Sequence, residues 1–69
     1  MTVYQVVQRI IEGEREHAGQ YADQYLTRLE ERHPDAEVSC RLGRKCIENA
    51  LALEIVLKEM PVEVAEREV

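Results

Sequence analysis

Two acidic residues and one histidine have the types and the spacing that could bind a metal ion. Glu14 and His17 are three residues apart in the segment EREHA, and side chains three apart lie on the same face of a helix. Glu54 stands alone among apolar residues in the second half of the chain. If the chain folds back on itself near residue 34, we expect Glu54 to lie opposite Glu14.

The segment EREHA resembles the ExxH ligand helix of the ferritin-like di-iron proteins. In those bundles a Glu and a His three residues apart face the core and bind one iron. The resemblance implies a dimer in which two copies each of Glu14, His17 and Glu54 hold a di-metal centre. ExxH is a short pattern, and it occurs again at Glu30–His33 in this Glu-rich chain. We therefore expect no metal and no other cofactor, and we keep the ferritin-like site as the alternative.

A second set of candidate residues suits the binding of another protein. It consists of His17, Tyr21, Tyr25 and Arg28. These residues are three or four apart, so they lie along one side of a helix, and Tyr and Arg are types that often anchor protein interfaces. The alternative role for Tyr25 is packing in the core. Ser39 and Cys46 have no His or carboxylate at a spacing that would activate them, so we expect no enzyme activity.

Two helices are predicted to hold these residues. Thr2 is a suitable N-cap with Gln5 three residues later, as in a capping box, and a helix over about 3–32 follows. The residue before Pro34 disfavours helical backbone, which ends this helix. Proline also suits the first turn of a second helix, predicted over about 34–60.

The short connection makes the two helices antiparallel neighbours. The sequence therefore predicts an all-α fold with one domain, residues 1–69. The domain is a two-helix hairpin followed by a short C-terminal tail or helical turn.

The second helix has more apolar surface than a single hairpin can cover. Its apolar residues form two adjacent stripes that span about half of the circumference, whereas an ordinary surface helix needs an arc of about 100°. We therefore predict a homodimer that forms a four-helix bundle. The predicted dimer core is the stripe Leu42, Cys46, Ala50, Leu53 and Leu57.

Composition and charge exclude several classes of partner. The net charge of the 69 residues is −5, whereas surfaces that bind nucleic acid are basic. We therefore expect neither nucleic acid nor membrane as a partner. The two cysteines are six apart on one predicted helix, so they cannot pair, which fits a reducing cytoplasm. The N-terminal segment lacks the pattern of a signal peptide, and no apolar run approaches 20 residues.

In length and in hairpin pattern, from MTVYQVVQRII to LALEIVLKEMP, the chain is similar to small phage-encoded quorum-sensing anti-activators. The resemblance implies a non-enzymatic inhibitor that acts in the host cytoplasm. Its implied partner is a host LuxR-type transcription regulator, which it would keep from DNA. The resemblance assigns no binding residue in this chain. A further alternative is a structural or antitoxin-like subunit of a larger complex.

Overall fold

The computed structural model describes all 69 residues and contains three helices, α1 (Val3–Glu30), α2 (Ala36–Glu59) and α3 (Val62–Ala65). The two long helices pack against each other along the chain's length. This packing confirms the predicted all-α hairpin. One isolated antiparallel bridge joins Thr2 to Glu68. None of the helices combines the length and the apolarity that crossing a bilayer requires.

The capping box predicted at the start of α1 is confirmed. The backbone N–H of Gln5 donates to the Thr2 hydroxyl at 3.2 Å, and the backbone N–H of Thr2 donates to the Gln5 side-chain oxygen at 2.9 Å. The two bonds satisfy backbone N–H groups that have no partner within the helix.

The first helix ends at Glu30, two residues before the predicted end. Arg32 has left-handed backbone with φ of 53°, which a continuing helix does not allow. The N–H of His33 donates to the carbonyl of Arg28 at 2.7 Å, and the N–H of Arg32 donates to the carbonyl of Leu29 at 3.1 Å. This pair of bonds is a Schellman motif, in which the left-handed position is usually glycine.

The second helix starts at Ala36 rather than at the predicted residue 34. The His33 side chain holds the connecting turn, because its Nδ1 accepts a hydrogen bond from the N–H of Asp35 at 3.0 Å. The N–H of Ala36 donates to the carbonyl of His33 at 3.3 Å. Pro34 therefore lies in the turn between the helices and not in the first helical turn, which corrects the prediction.

The C-terminal tail folds back onto the start of α1. Extended backbone at Met60 and Pro61 ends α2, and α3 is a single short turn after it. The N–H of Val3 donates to the carbonyl of Arg67 at 2.9 Å. The ammonium group of Met1 forms an ion pair with Glu68 at 2.9 Å. The C-terminal tail therefore connects α2 to the start of α1 at the end of the hairpin opposite the connecting turn.

The contact between α1 and α2 is built mainly from small residues. Only 6 of 69 residues are buried, and they are Ile11, Ala18, Ala36, Ser39, Gly43 and Ala50. A Cβ added at Gly43 would lie 3.3 Å from the Cβ of Tyr21 and 3.6 Å from the carbonyl oxygen of Ala18. The two helices therefore lie close together at Gly43, where α2 has no side chain.

Candidate protein-binding surfaces

An open groove of about 280 Å³ lies between α1 and α2, in the half of the hairpin nearer the connecting turn. Small residues create it, since Ala18 and Ala22 on α1 face Gly43 on α2. The remaining lining residues are Tyr25, Ser39, Cys40, Arg44, Ile47 and Glu48. The groove is therefore a mostly apolar depression with charged residues at its rim.

The Ser39 hydroxyl lies at the edge of this groove and is fully hydrogen-bonded. Ser39 is 1% exposed. It accepts a hydrogen bond from Nη1 of Arg28 at 2.7 Å and donates one to the side-chain oxygen of Gln24 at 3.4 Å. These bonds fix the register of the two helices near the turn. The hydroxyl has no base beside it that would make it a nucleophile.

Beyond the groove, the same side of α2 carries an exposed apolar row that we call the α2 ridge. It consists of Ile47, Leu51 and Ile55, which are 52%, 55% and 57% exposed. The three residues are four apart, so they follow one another along the helix surface. Ile47 lines the groove, and Leu51 and Ile55 line a second open depression together with Glu54 and Lys58. The groove and the ridge therefore form one continuous apolar surface.

The other side of α2 carries a second exposed apolar group, which we call the back surface. It consists of Val38, Leu42 and Val56, which are 44%, 43% and 48% exposed. Val38 and Leu42 are one turn apart, and Val56 follows Val38 by five full turns. Lys45 and Asn49 lie between Leu42 and Val56 on this side, so the back surface is interrupted where the ridge is continuous.

The residues predicted to form the dimer core differ in how far a single chain covers them. Ala50 is 3% exposed and already buried against α1. Cys46, Leu53 and Leu57 are half-buried in the hairpin. Leu42 is the member of the stripe that the single chain leaves open. Participation of this stripe in a dimer stays a prediction.

The four residues predicted to bind a partner are not equally available. His17 is exposed. Tyr21 is half-buried against Gly43, and Tyr25 is half-buried in the groove. Arg28 is also half-buried and donates to Ser39. His17 is therefore the member of this set that projects freely, and the other three have contacts within the chain.

The alternative metal ligands have other neighbours in a single chain. The Glu54 carboxylate forms a salt bridge with Arg15, and the Glu14 carboxylate lies beside the thiol of Cys46. No group of three or more His, Cys, Asp or Glu residues is placed to hold a metal ion within one chain. A di-metal centre would need ligands from a second copy and the loss of the Arg15 salt bridge.

The environment of Cys46 makes its thiol a poor nucleophile. Desolvation raises the pKa of this thiol from its ordinary value, and the hydrogen bond and the negative charge of Glu14 raise it further. Because the thiolate is the reactive form of cysteine, the thiol of Cys46 stays protonated and unreactive at neutral pH.

The groove is the feature that reasoning from the sequence missed. In the sequence, Gly43 is one position in the apolar arc of α2, and nothing about that position alone indicates a groove. The available signal was the coincidence of small residues on both helices, Ala18 and Ala22 opposite Gly43. Recognising it requires the register between the helices, which the sequence predicted only approximately.

Comparison with known protein families found no family model that matches this chain. Neither a curated protein nor a solved structure matches it significantly.

Proposed function

We propose that this chain is a non-enzymatic inhibitor that forms a homodimer and acts by binding another protein. The observation that supports the homodimer is the amount of surface that one chain exposes. The chain exposes 5353 Å², whereas a compact monomer of 8.0 kDa exposes about 4450 Å². The excess, about 900 Å², is close to the roughly 800 Å² that each partner buries in a standard interface.

The character of the exposed surface supports the same conclusion. Each residue of the α2 ridge is more than half exposed. Complete burial of a side chain such as Ile or Leu contributes about 1.5–3 kcal/mol, so covering the exposed half contributes on the order of 1 kcal/mol per residue. In a symmetric dimer each ridge residue is covered on both copies, so its contribution to the binding free energy occurs twice. Covering this surface with a second copy therefore gives a substantial part of the binding free energy.

A protein target is the second part of the proposal. When one side of the hairpin is covered by a second copy, the back surface stays available, and exposed apolar groups of this kind often mark binding sites. The exposed His17 is a further candidate contact. The net charge of −5 favours a basic or mixed protein surface as the partner. The resemblance to anti-activators in length and hairpin pattern implies a LuxR-type regulator as the target, and we propose that target here.

The non-enzymatic character is supported by the state of the two candidate nucleophiles. The hydroxyl of Ser39 is engaged by Arg28 and Gln24. The thiol of Cys46 has a raised pKa. Neither group is activated for attack, whereas both contribute to the packing of the hairpin.

A direct test titrates the purified protein into a LuxR-type regulator bound to fluorescent promoter DNA. We expect the anisotropy of the DNA to fall to that of free DNA at stoichiometric protein, with a complex of the two proteins in size-exclusion chromatography. Val56→Glu on the back surface should weaken inhibition at least tenfold, or about 1.4 kcal/mol. Gln20→Glu, which adds the same negative charge at an exposed site on α1, is the matched control and should inhibit normally. A regulator that stays on its DNA in a large excess of the protein would contradict the proposal.

A further inference from the structure

We propose that the second copy packs on the groove side of α2, with the two α2 ridges antiparallel. In this arrangement Ile55 of each copy enters the groove at Gly43 of the other. The inference rests on the homodimer proposed above, and it adds the interacting surface and the register. It places the interface on the ridge and not on the stripe from Leu42 to Leu57, which α1 already covers in large part.

The surface is complementary to itself. Gly43, Ile47, Leu51 and Ile55 are each four residues apart, and such rows form the ridges by which helices pack. The row begins at Gly43, beside the groove, and ends about 18 Å further along the helix at the exposed side chain of Ile55. A twofold axis at the level of residue 49 exchanges position 43 with 55 and position 47 with 51. The interface of a twofold dimer uses the same patch on both copies. The groove of each copy therefore receives Ile55 of the other copy.

The depression is of the right size and chemistry to receive an isoleucine. Its volume is about 280 Å³, and the small residues Ala18, Ala22 and Gly43 are part of its lining. Ile55 is 57% exposed, so its own chain does not cover it. Packing of rows four residues apart is the commonest class of helix contact, with a crossing angle near −50°. The four helices of the dimer would then form two crossed hairpins.

The charges beside the ridge are compatible with this register. Arg44 and Glu48 lie along its outer edge and form no ion pair within the chain, whose two ion pairs involve other residues. The proposed twofold axis places Arg44 of each copy at the level of Glu54 of the other, which carries the opposite charge. The ridge itself is uncharged, so no charge is buried without a partner in the centre of the interface. The back surface lacks this match, because Lys45 and Asn49 interrupt it.

Cross-linking through a native cysteine tests the register. Cys40 lines the groove, so an Ile55→Cys variant should form a disulfide between its new thiol and Cys40 of the second copy. Positions 40 and 55 are about 22 Å apart on one helix, and a disulfide requires Cα atoms within about 7 Å. Any such disulfide must therefore join two chains. We expect a covalent dimer on mild oxidation, mapped by mass spectrometry and abolished by Cys40→Ser.

Val56→Cys is the matched control, since Val56 is exposed to 48% but lies on the other side of α2. It should give no covalent dimer through Cys40. In sedimentation, Ile55→Glu should raise the dimer dissociation constant about a hundredfold because the substitution acts twice, and Val56→Glu should leave it unchanged. A wild-type dimer that tolerates Ile55→Glu and gives no 40–55 disulfide overturns this surface while preserving the homodimer. A monomeric wild type overturns both.

Discussion

Replacing Gly43 by leucine should destabilise the hairpin, and the same replacement at Gly19 should not. A Cβ at Gly43 would lie 3.3 Å from the Cβ of Tyr21 and 3.6 Å from the carbonyl oxygen of Ala18, whereas nothing lies within 4 Å of a Cβ at Gly19. Both glycines are inside helices and neither has positive φ. The comparison therefore isolates the close approach of α1 and α2.

The expected difference follows from two opposing terms. Leucine is about 0.7 kcal/mol better than glycine inside a helix, so Gly19→Leu should raise the free energy of unfolding by about that amount. Gly43→Leu has the same gain, but overpacking a close contact costs about 1–3 kcal/mol. The two variants should therefore differ by about 1–3 kcal/mol. For a domain of this size, the difference corresponds to melting temperatures on the order of 10 °C apart.

Circular dichroism followed during heating measures the difference. All variants must be compared at one protein concentration, because the stability of a dimer depends on concentration. Repeating the pair in an Ile55→Glu background separates packing within the hairpin from packing between copies. If the two variants melt within about 2 °C of each other, the close approach at Gly43 is not a determinant of stability, and the reasoning is wrong.

Three further predictions concern single side chains. Arg32→Gly should stabilise the protein by about 1 kcal/mol in urea unfolding, because glycine removes the cost of left-handed backbone at the end of α1; a loss of stability would contradict the assigned Schellman motif. Ser39→Ala should cost about 1 kcal/mol, and a double-mutant cycle with Arg28→Ala should give less than additive losses; full additivity would exclude their coupling. The raised pKa of Cys46 means that the folded state holds the thiol proton more strongly, so the stability from this group is present below the pKa of the unfolded thiol and is lost as the pH rises through the raised pKa of the folded state. In a Cys40→Ser background, the alkylation of Cys46 should have its midpoint at a higher pH in the folded protein than in the urea-unfolded protein, and Glu14→Gln should lower that midpoint in part; an unshifted profile would contradict the contact.

The two long helices could be predicted because local signals determine them. Thr2 and Gln5 have the spacing of a capping box, and Pro34 and Pro61 each disfavour helical backbone at the residue before them. The apolar stripes then require two helices of this length to pack as a hairpin. These features depend on neighbouring residues, so they can be recognised without knowing the register.

The exact helix ends were predicted less well, since they depend on single backbone conformations. The left-handed residue after α1 is Arg32 and not a glycine, so its identity gives no signal. The His33 side chain caps the turn before α2, which delays the start of that helix to Ala36. The contact between Thr2 and Glu68 joins opposite ends of the chain, and no local pattern indicates it.

The candidate surfaces required the structure. The sequence predicted the wide apolar arc of α2, but it did not predict which part of that arc α1 covers. The register at which Gly43 meets Tyr21 decides which residues of α2 are covered by α1. In this register Ala50 is buried, whereas Ile47, Leu51 and Ile55 stay exposed. The salt bridge between Arg15 and Glu54 depends on the same register. The homodimer, its target and its binding residues are proposals.

Sedimentation equilibrium at micromolar concentration tests the homodimer most directly. The surface of the hairpin predicts a species of twice the 8.0 kDa mass of the chain, with helical circular dichroism. A folded, helical species that sediments at 8.0 kDa over the whole concentration range would contradict the account, because the α2 ridge would then be stable in water without a second copy.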